Sequence, residues 1–210
     1  MTGKDWVRWH EAYEDPRSSL SRRLSMVRDQ IRTVLDERPP GPIRVVSLCA
    51  GQGRDILGVL ADHPRRHDVV GRLVELDPHN AGVARTSAEK QGLAGIEVVT
   101  GDAADTTNYA GAVPADLVLA CGIFGNISDG DIQHTIASLP GFCASGGTVI
   151  WTRHHEPPDL VPTICEWFEA AGFQPVWVSD GSAGYGAGVH TYRGPAAELA
   201  VGERLFTFQR

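Results

Sequence analysis

Residues 43–55, Ile-Arg-Val-Val-Ser-Leu-Cys-Ala-Gly-Gln-Gly-Arg-Asp, constrain the fold more than any other stretch of the chain. Val45, Val46 and Leu48 make an apolar run rich in β-branched residues, and Ile56, Leu57 and Leu60 then recur at helical spacing. Between the two lies Ala50-Gly51-Gln52-Gly53. The pattern is a strand, a tight glycine turn and a helix. Glycine belongs in such a turn because it accepts a positive φ and lets another group approach the backbone without meeting a Cβ. The helix that follows points unpaired N–H groups and a positive dipole end at whatever fills the turn. A nucleotide-like ligand is the expectation.

The same alternation continues downstream. Residues 69–76 read as a second apolar strand closed by Asp77-Pro78, with Glu75 at its carboxyl end. An acid there can accept hydrogen bonds from both hydroxyls of a ribose. A helix over residues 80–91 stops at Gly92, and residues 96–103 alternate as a third strand ending in Gly101-Asp102-Ala103. Residues 115–126 are a fourth strand with its exit loop. Asp129 or Asp131 caps a helix carrying Ile132, Ile136 and Leu139, and Gly146-Gly147 turns the chain into a fifth strand at residues 148–152. Leu160, Ile164, Trp167 and Phe168 stripe another helix, and residues 173–179 supply a sixth strand. Residues 180–188 are too glycine-rich for regular structure and read as a flap or a loop; a last strand is expected at Leu205-Phe206-Thr207-Phe208. Strands alternating with helices in this way predict a doubly wound α/β fold.

A net charge of -7 argues against a chain built to hold a polyanion, because phosphate binding draws on a basic surface. Residues 1–15 have no apolar signal core and no later run is long enough to span a bilayer, so a cytoplasmic protein is expected, with neither nucleic acid nor membrane as partner. Cys49, Cys121, Cys143 and Cys165 form no C-x-x-C pair and read as reduced thiols without a metal.

Residues 1–40 stand apart as an N-terminal helical lid or appendage, with the main domain at residues 41–210. Leu20, Leu24, Val27, Ile31, Val34 and Leu35 share one helical stripe, Ser18 or Ser19 can cap it, and Pro39-Pro40 stops it. Before it comes an aromatic stretch with Trp6, Trp9, His10 and Tyr13. Two readings stand: a hydrophobic clasp for the terminus, or a lid over the ligand whose aromatic faces meet a cation.

Ser47-x-Cys49-x-Gly51-x-Gly53 resembles motif I of the class I, Rossmann-like S-adenosylmethionine (SAM) dependent methyltransferases, with Ser47 where an acid is usual and Cys49 in place of the first glycine. Glu75-Leu76-Asp77-Pro78, Gly101-Asp102-Ala103 and the run of Asp116, Leu117, Val118 and Leu119 ending in Cys121-Gly122 are similar to that family's later motifs, in order. The resemblance implies a mainly parallel seven-stranded sheet, the seventh strand inserted between the fifth and sixth. It also implies SAM as cofactor and S-adenosylhomocysteine as product. By it, Ser47, Ala50, Gly51, Gln52 and Gly53 face the cofactor, Glu75 and Leu76 the ribose side, and Asp102 and the Ala103 N–H the adenine edge. Cys121 and Gly122 lie near the methionine portion, and by looser analogy Tyr13 and Arg23 hold its carboxylate. The tetrapeptide that marks many methylases of nucleobase and amide nitrogens is missing.

The fifth strand empties into Arg153-His154-His155-Glu156, a dense ionisable cluster at a strand end. His154, with His10 from the lid, is the candidate base; loop histidines at the surface are the competing reading. The acceptor expected is an oxygen or nitrogen of a small metabolite, and a homodimer is the assembly allowed for. Two rivals stay open: a SAM-binding protein that transfers no methyl group, and an NAD-dependent oxidoreductase, although Ile56 breaks the latter's glycine pattern.

Overall fold

The computed structural model describes residues 18–181 and 184–209. The first helix, α1 (Ser19–Glu37), starts where Ser18 Oγ accepts the Ser21 N–H at 3.0 Å. Val27, Ile31, Val34 and Leu35 are buried, whereas Leu20 and Leu24 at the head of the same stripe are half-buried. Then follow β1 (Ile43–Leu48), α2 (Ile56–Leu60), β2 (Val69–Glu75), α3 (Pro78–Lys90) and β3 (Ile96–Thr100). A 3-10 turn at Thr106–Tyr109 leads to β4 (Ala115–Ala120), α4 (Asp129–Ser138), β5 (Cys143–Arg153), α5 (Val161–Ala170), β6 (Phe173–Val178) and β7 (Gly186–Tyr192).

The seven strands lie in the order β3-β2-β1-β4-β5-β7-β6. Strands β1 to β5 run parallel to one another, and β7 runs antiparallel to both β5 and β6. The order reverses between β1 and β4, so the glycine turn after β1 and the loop after β4 open side by side at the sheet's switch point. Each sheet face has its own core. On one, Ile31 and Leu35 of α1 join Ile56, Leu60, Leu73 and Leu119; on the other, Ile132, Ile136, Phe142 and Phe168 pack with Val118 and Trp151. Cover on both sides is why β1 reads as a nearly continuous apolar run.

Two expectations change. The last third of the segment read as too glycine-rich for regular structure, residues 186–188, opens β7: Gly186 and Gly188 lie opposite Arg153 and Trp151, and a Cβ at Gly188 would stand 2.5 Å from the Trp151 indole. The glycines there make room for a large neighbour. Residues 205–208, in turn, are outside the sheet. They belong to a C-terminal strap in which Leu205 N–H donates to Ala104 O at 2.8 Å, Gln209 N–H donates to Asn126 O at 2.8 Å, and Phe208 bridges Ile127. The apolar side chains that suggested a strand, Leu205 and Phe206, are buried against the second core. The fifth strand is also longer than expected, with an irregular step in its pairing between Ala115 and Leu117. No helix among the described residues is long and apolar enough to cross a membrane.

Candidate cofactor and acceptor site

The glycine turn is built by its own backbone. Ala50 N–H donates to Val74 O at 2.9 Å and Gly53 N–H donates to Ala50 O at 2.8 Å, so β2 anchors the turn and the turn closes on itself. Cys49, Gly51 and Gly53 have φ values of 51°, 56° and 67°. A Cβ on Gly53 would stand 2.7 Å from Leu57 Cδ1. Among the described residues Cys49 is the one non-glycine with positive φ. The left-handed region costs such a residue about 1–2 kcal/mol, so the chain keeps the backbone path a glycine would follow and stores strain to do it.

Glu75 ends β2 beside this turn. Its Oε2 accepts the Gly51 N–H at 2.7 Å and its Oε1 accepts the Asp77 N–H at 2.8 Å. An ionised carboxylate has about four lone-pair positions, so one remains on each oxygen for a pair of ligand hydroxyls. Burial raises the Glu75 pKa, and the backbone N–H groups of Asp77, Gly51 and Leu76 oppose that rise. Next to it Leu76 is 64% exposed, an apolar side chain left in solvent at the rim. Gln52 braces the turn: its Nε2 donates to Asn80 Oδ1 at 3.1 Å and its Oε1 accepts from Arg54 Nε at 2.9 Å. Ser47 is enclosed within β1 at 1% exposure.

Beyond β3, Asp102 Oδ1 accepts the Ala104 N–H at 3.0 Å, while Oδ2 pairs with Arg204 Nη2 at 3.0 Å. Ala103 between them is buried. After β4, Gly122 is held from both sides: its N–H donates to Thr152 Oγ1 at 2.8 Å and its carbonyl accepts from Asn126 Nδ2 at 2.9 Å. Burial pushes the Cys121 thiol well above its ordinary pKa, with the Asp55 charge adding to the rise and the Arg23 charge opposing it. Tyr13, His10 and the two lid tryptophans lie outside the described residues.

Four residues here escape a reading by sequence. Arg28, which the helical pattern consigns to the polar side of α1, donates through Nε and Nη2 to Arg54 O at 2.9 and 2.6 Å; Gly58 leaves the space its guanidinium occupies. Arg204 and Thr152 reach the site from remote segments, and Asn126 reaches back to Gly122 within the β4 exit loop; no motif marks them.

At the β5 exit, Arg153 is 8% exposed. Its Nη1 donates to Phe124 O and its Nε has no partner. Burial lowers its pKa, against the pull of Asp129 and Asp159. The His154 ring lies on Gly125, where a Cβ would stand 3.0 Å from its Cδ2, and its Nδ1 is buried without a partner. His155 Nδ1 sits 2.8 Å from Asp159 Oδ2. None of the candidate residues lines the two grooves found elsewhere, one of about 620 Å³ along α3 at His79, Val83 and Lys90, the other of about 210 Å³ between α4 and α5 at Gln133 and Trp167.

A glycine turn, one carboxylate with two open acceptor positions and a second carboxylate beyond the next strand suit a ligand that carries ribose and adenine. With this strand order, they define a class I methyltransferase fold. The chain belongs to the family described as "Putative methyltransferase", whose model matches residues 19–165. Solved structures share the fold at low identity. An O-methyltransferase family protein from Burkholderia thailandensis superposes with a TM-score of 0.60 and 18% identity over 87% of this chain and 62% of that one. The magnesium protoporphyrin IX methyltransferase of Synechocystis PCC 6803, solved with bound SAM, gives 0.66 and 12% over 90% and 92%. An RNA methyltransferase from Salinibacter ruber, in complex with S-adenosyl-L-homocysteine, gives 0.53 and 19% over 82% and 94%. This chain thus spans less than two thirds of the Burkholderia protein. No curated protein matches it in sequence.

Proposed function

We propose that this methyltransferase transfers the methyl group of SAM to an oxygen or nitrogen of a small-molecule metabolite. Its cofactor is SAM, which when bound supplies an electrophilic methyl group. The observation that carries the cofactor's placement is the pair of strand-end carboxylates: Glu75 with one open lone-pair position on each oxygen for the ribose, and Asp102 for the adenine amino group. The chain's work is then to position an acceptor in line with the methyl group and exclude water, and orientation of that kind can supply about 7–11 kcal/mol of a barrier. Thr152 and Asn126 serve it by fixing Gly122, and with it the floor between cofactor and acceptor. The fold by itself leaves the acceptor open, since proteins that share it act on RNA and on a porphyrin. A net charge of -7 supports the small acceptor over RNA.

The test is to incubate the protein with methyl-labelled SAM and a cell extract, then separate small molecules, RNA and protein. Label in the small-molecule fraction supports the reading. Label confined to RNA or protein overturns it.

A further inference from the structure

The residues assigned to the cofactor follow the order of the strands that carry them. Asp102 lies beyond β3, Glu75 ends β2, the glycine turn leaves β1 and Gly122 lies beyond β4. In the proposed placement adenine, ribose and the methionine portion succeed one another in that direction, across strands about 4.8 Å apart. The next place along the sheet, on the far side of the methionine portion, is the exit of β5. Arg153 is the last residue of that strand.

Successive residues of a strand point to opposite sides, and Thr152 and Arg153 grip the β4 exit loop from two faces. Thr152 Oγ1 accepts the Gly122 N–H, and Arg153 Nη1 donates to Phe124 O two residues further on. The guanidinium is a charge largely out of water, with 8% of the residue exposed. Its Nε is enclosed without a partner, whereas Nη2, also without one, still reaches the surface. No carboxylate among the described residues is close enough for an ion pair. Asp159 is taken up by His155 and the Val161 N–H, and Asp129 and Asp159 favour the charged form of Arg153 only through space. Holding one carbonyl needs one neutral donor, and a guanidinium does so with most of its N–H groups unspent. A buried cation without a counter-charge is costly, and it is compensated when a ligand brings the missing anion.

We propose that Arg153 receives a carboxylate of the methyl acceptor, so that the acceptor is an acidic metabolite. This rests on the methyltransferase reading above. The planar guanidinium matches the two oxygens of a carboxylate, and its charge is permanent. One cation with Asp129 and Asp159 in its neighbourhood suits a single negative charge and repels a phosphate dianion. A carboxylate paired with a guanidinium is a poor nucleophile. The atom that takes the methyl group is therefore a second oxygen or nitrogen of the same molecule, and the carboxylate survives in the product.

The charge of the labelled product tests this without any variant. Wild-type protein is incubated with methyl-labelled SAM and the small-molecule fraction of a cell extract. The labelled product, separated from SAM, is then followed by electrophoresis at decreasing pH. A gain of one positive charge between about pH 5 and about pH 2.5 is expected, because a carboxylate takes up its proton there. A product with no such step, whether neutral or a methyl ester, overturns the proposal, and so does a step near about pH 6 alone, which marks a phosphate. In the same assay Arg153→Gln is expected to raise the amount of extract giving half the maximal rate at least about tenfold, while binding S-adenosylhomocysteine as the wild type does. Arg153→Lys, which keeps the charge without the fork, is expected between the two. Half-saturation unshifted in Arg153→Gln, whatever its maximal rate, confines Arg153 to holding the β4 exit loop and overturns the proposal. Label that enters no small molecule refutes the proposed function, whereas label in a small molecule without a carboxylate refutes this inference alone.

Discussion

Cys49 and Gly53 carry the turn's geometry in single torsion angles. Cys49→Gly should leave the free energy of unfolding within about 1 kcal/mol of wild type, because relief at φ 51° is offset by glycine's freedom in the unfolded chain. Cys49→Val, a β-branched residue in the left-handed region, should cost about 2 kcal/mol or more by urea denaturation. A second prediction concerns His190, which is wholly buried, accepts from Trp151 Nε1 at 3.1 Å and stacks on Phe168 with ring centroids 4.5 Å apart. Burial pushes its pKa down to about 4. The folded value lies below the ordinary one of 6.5, so this group's contribution is complete above pH 6.5 and is lost as pH falls towards 4. Over that window it amounts to about 3 kcal/mol, and His190→Gln, which keeps an acceptor for Trp151, should flatten the corresponding part of the stability–pH curve. Glu75 and Asp102 are legible in the sequence because they follow apolar strands directly. The contact of His155 with Asp159 is not, since the double proline between them hides from a local pattern that the two side chains meet.

Helix α1 reads from its stripe as a lid or appendage, yet its inner face is part of the core on one side of the sheet, and Arg28 ties it to the end of the glycine turn. Two hydrogen bonds from a guanidinium to one carbonyl make this a strong tether. Arg28→Ala should therefore lower stability by about 1.5–3 kcal/mol and weaken S-adenosylhomocysteine binding as well, measured by thermal melts with and without ligand. A melt lowered equally in both would confine Arg28 to a structural role. The elements themselves were legible where periodicity is clean, as in β1 to β4 and α1. Strand β7 was not, because its glycines answer to Trp151 and Val161 across the sheet and not to any preference of their own.

Across the whole molecule, the C-terminal strap joins the loop after β3 to the loop after β4 and the start of α4, pairing Arg204 with Asp102, Gln209 N–H with Asn126 O and Thr207 N–H with Asp131 Oδ2 at 3.2 Å. Leu205 and Phe206 fasten it to the core. Leu205→Ala should cost about 2–5 kcal/mol, and a chemical-denaturation shift outside that range would deny the strap its place in the core. Its apolar tetrapeptide reads locally as a strand, and only the tertiary fold, with β7 already filling the sheet, assigns it elsewhere. The proposed cofactor site is where these parts converge, so the most direct measurement is isothermal titration of the protein with SAM and with S-adenosylhomocysteine, beside Glu75→Ala and Asp102→Ala. Micromolar binding of both ligands, weakened at least about tenfold in each variant, is the expected result, as loss of a charged hydrogen-bond acceptor costs about 1.5–3 kcal/mol. No binding, or binding indifferent to both substitutions, would contradict the site described here.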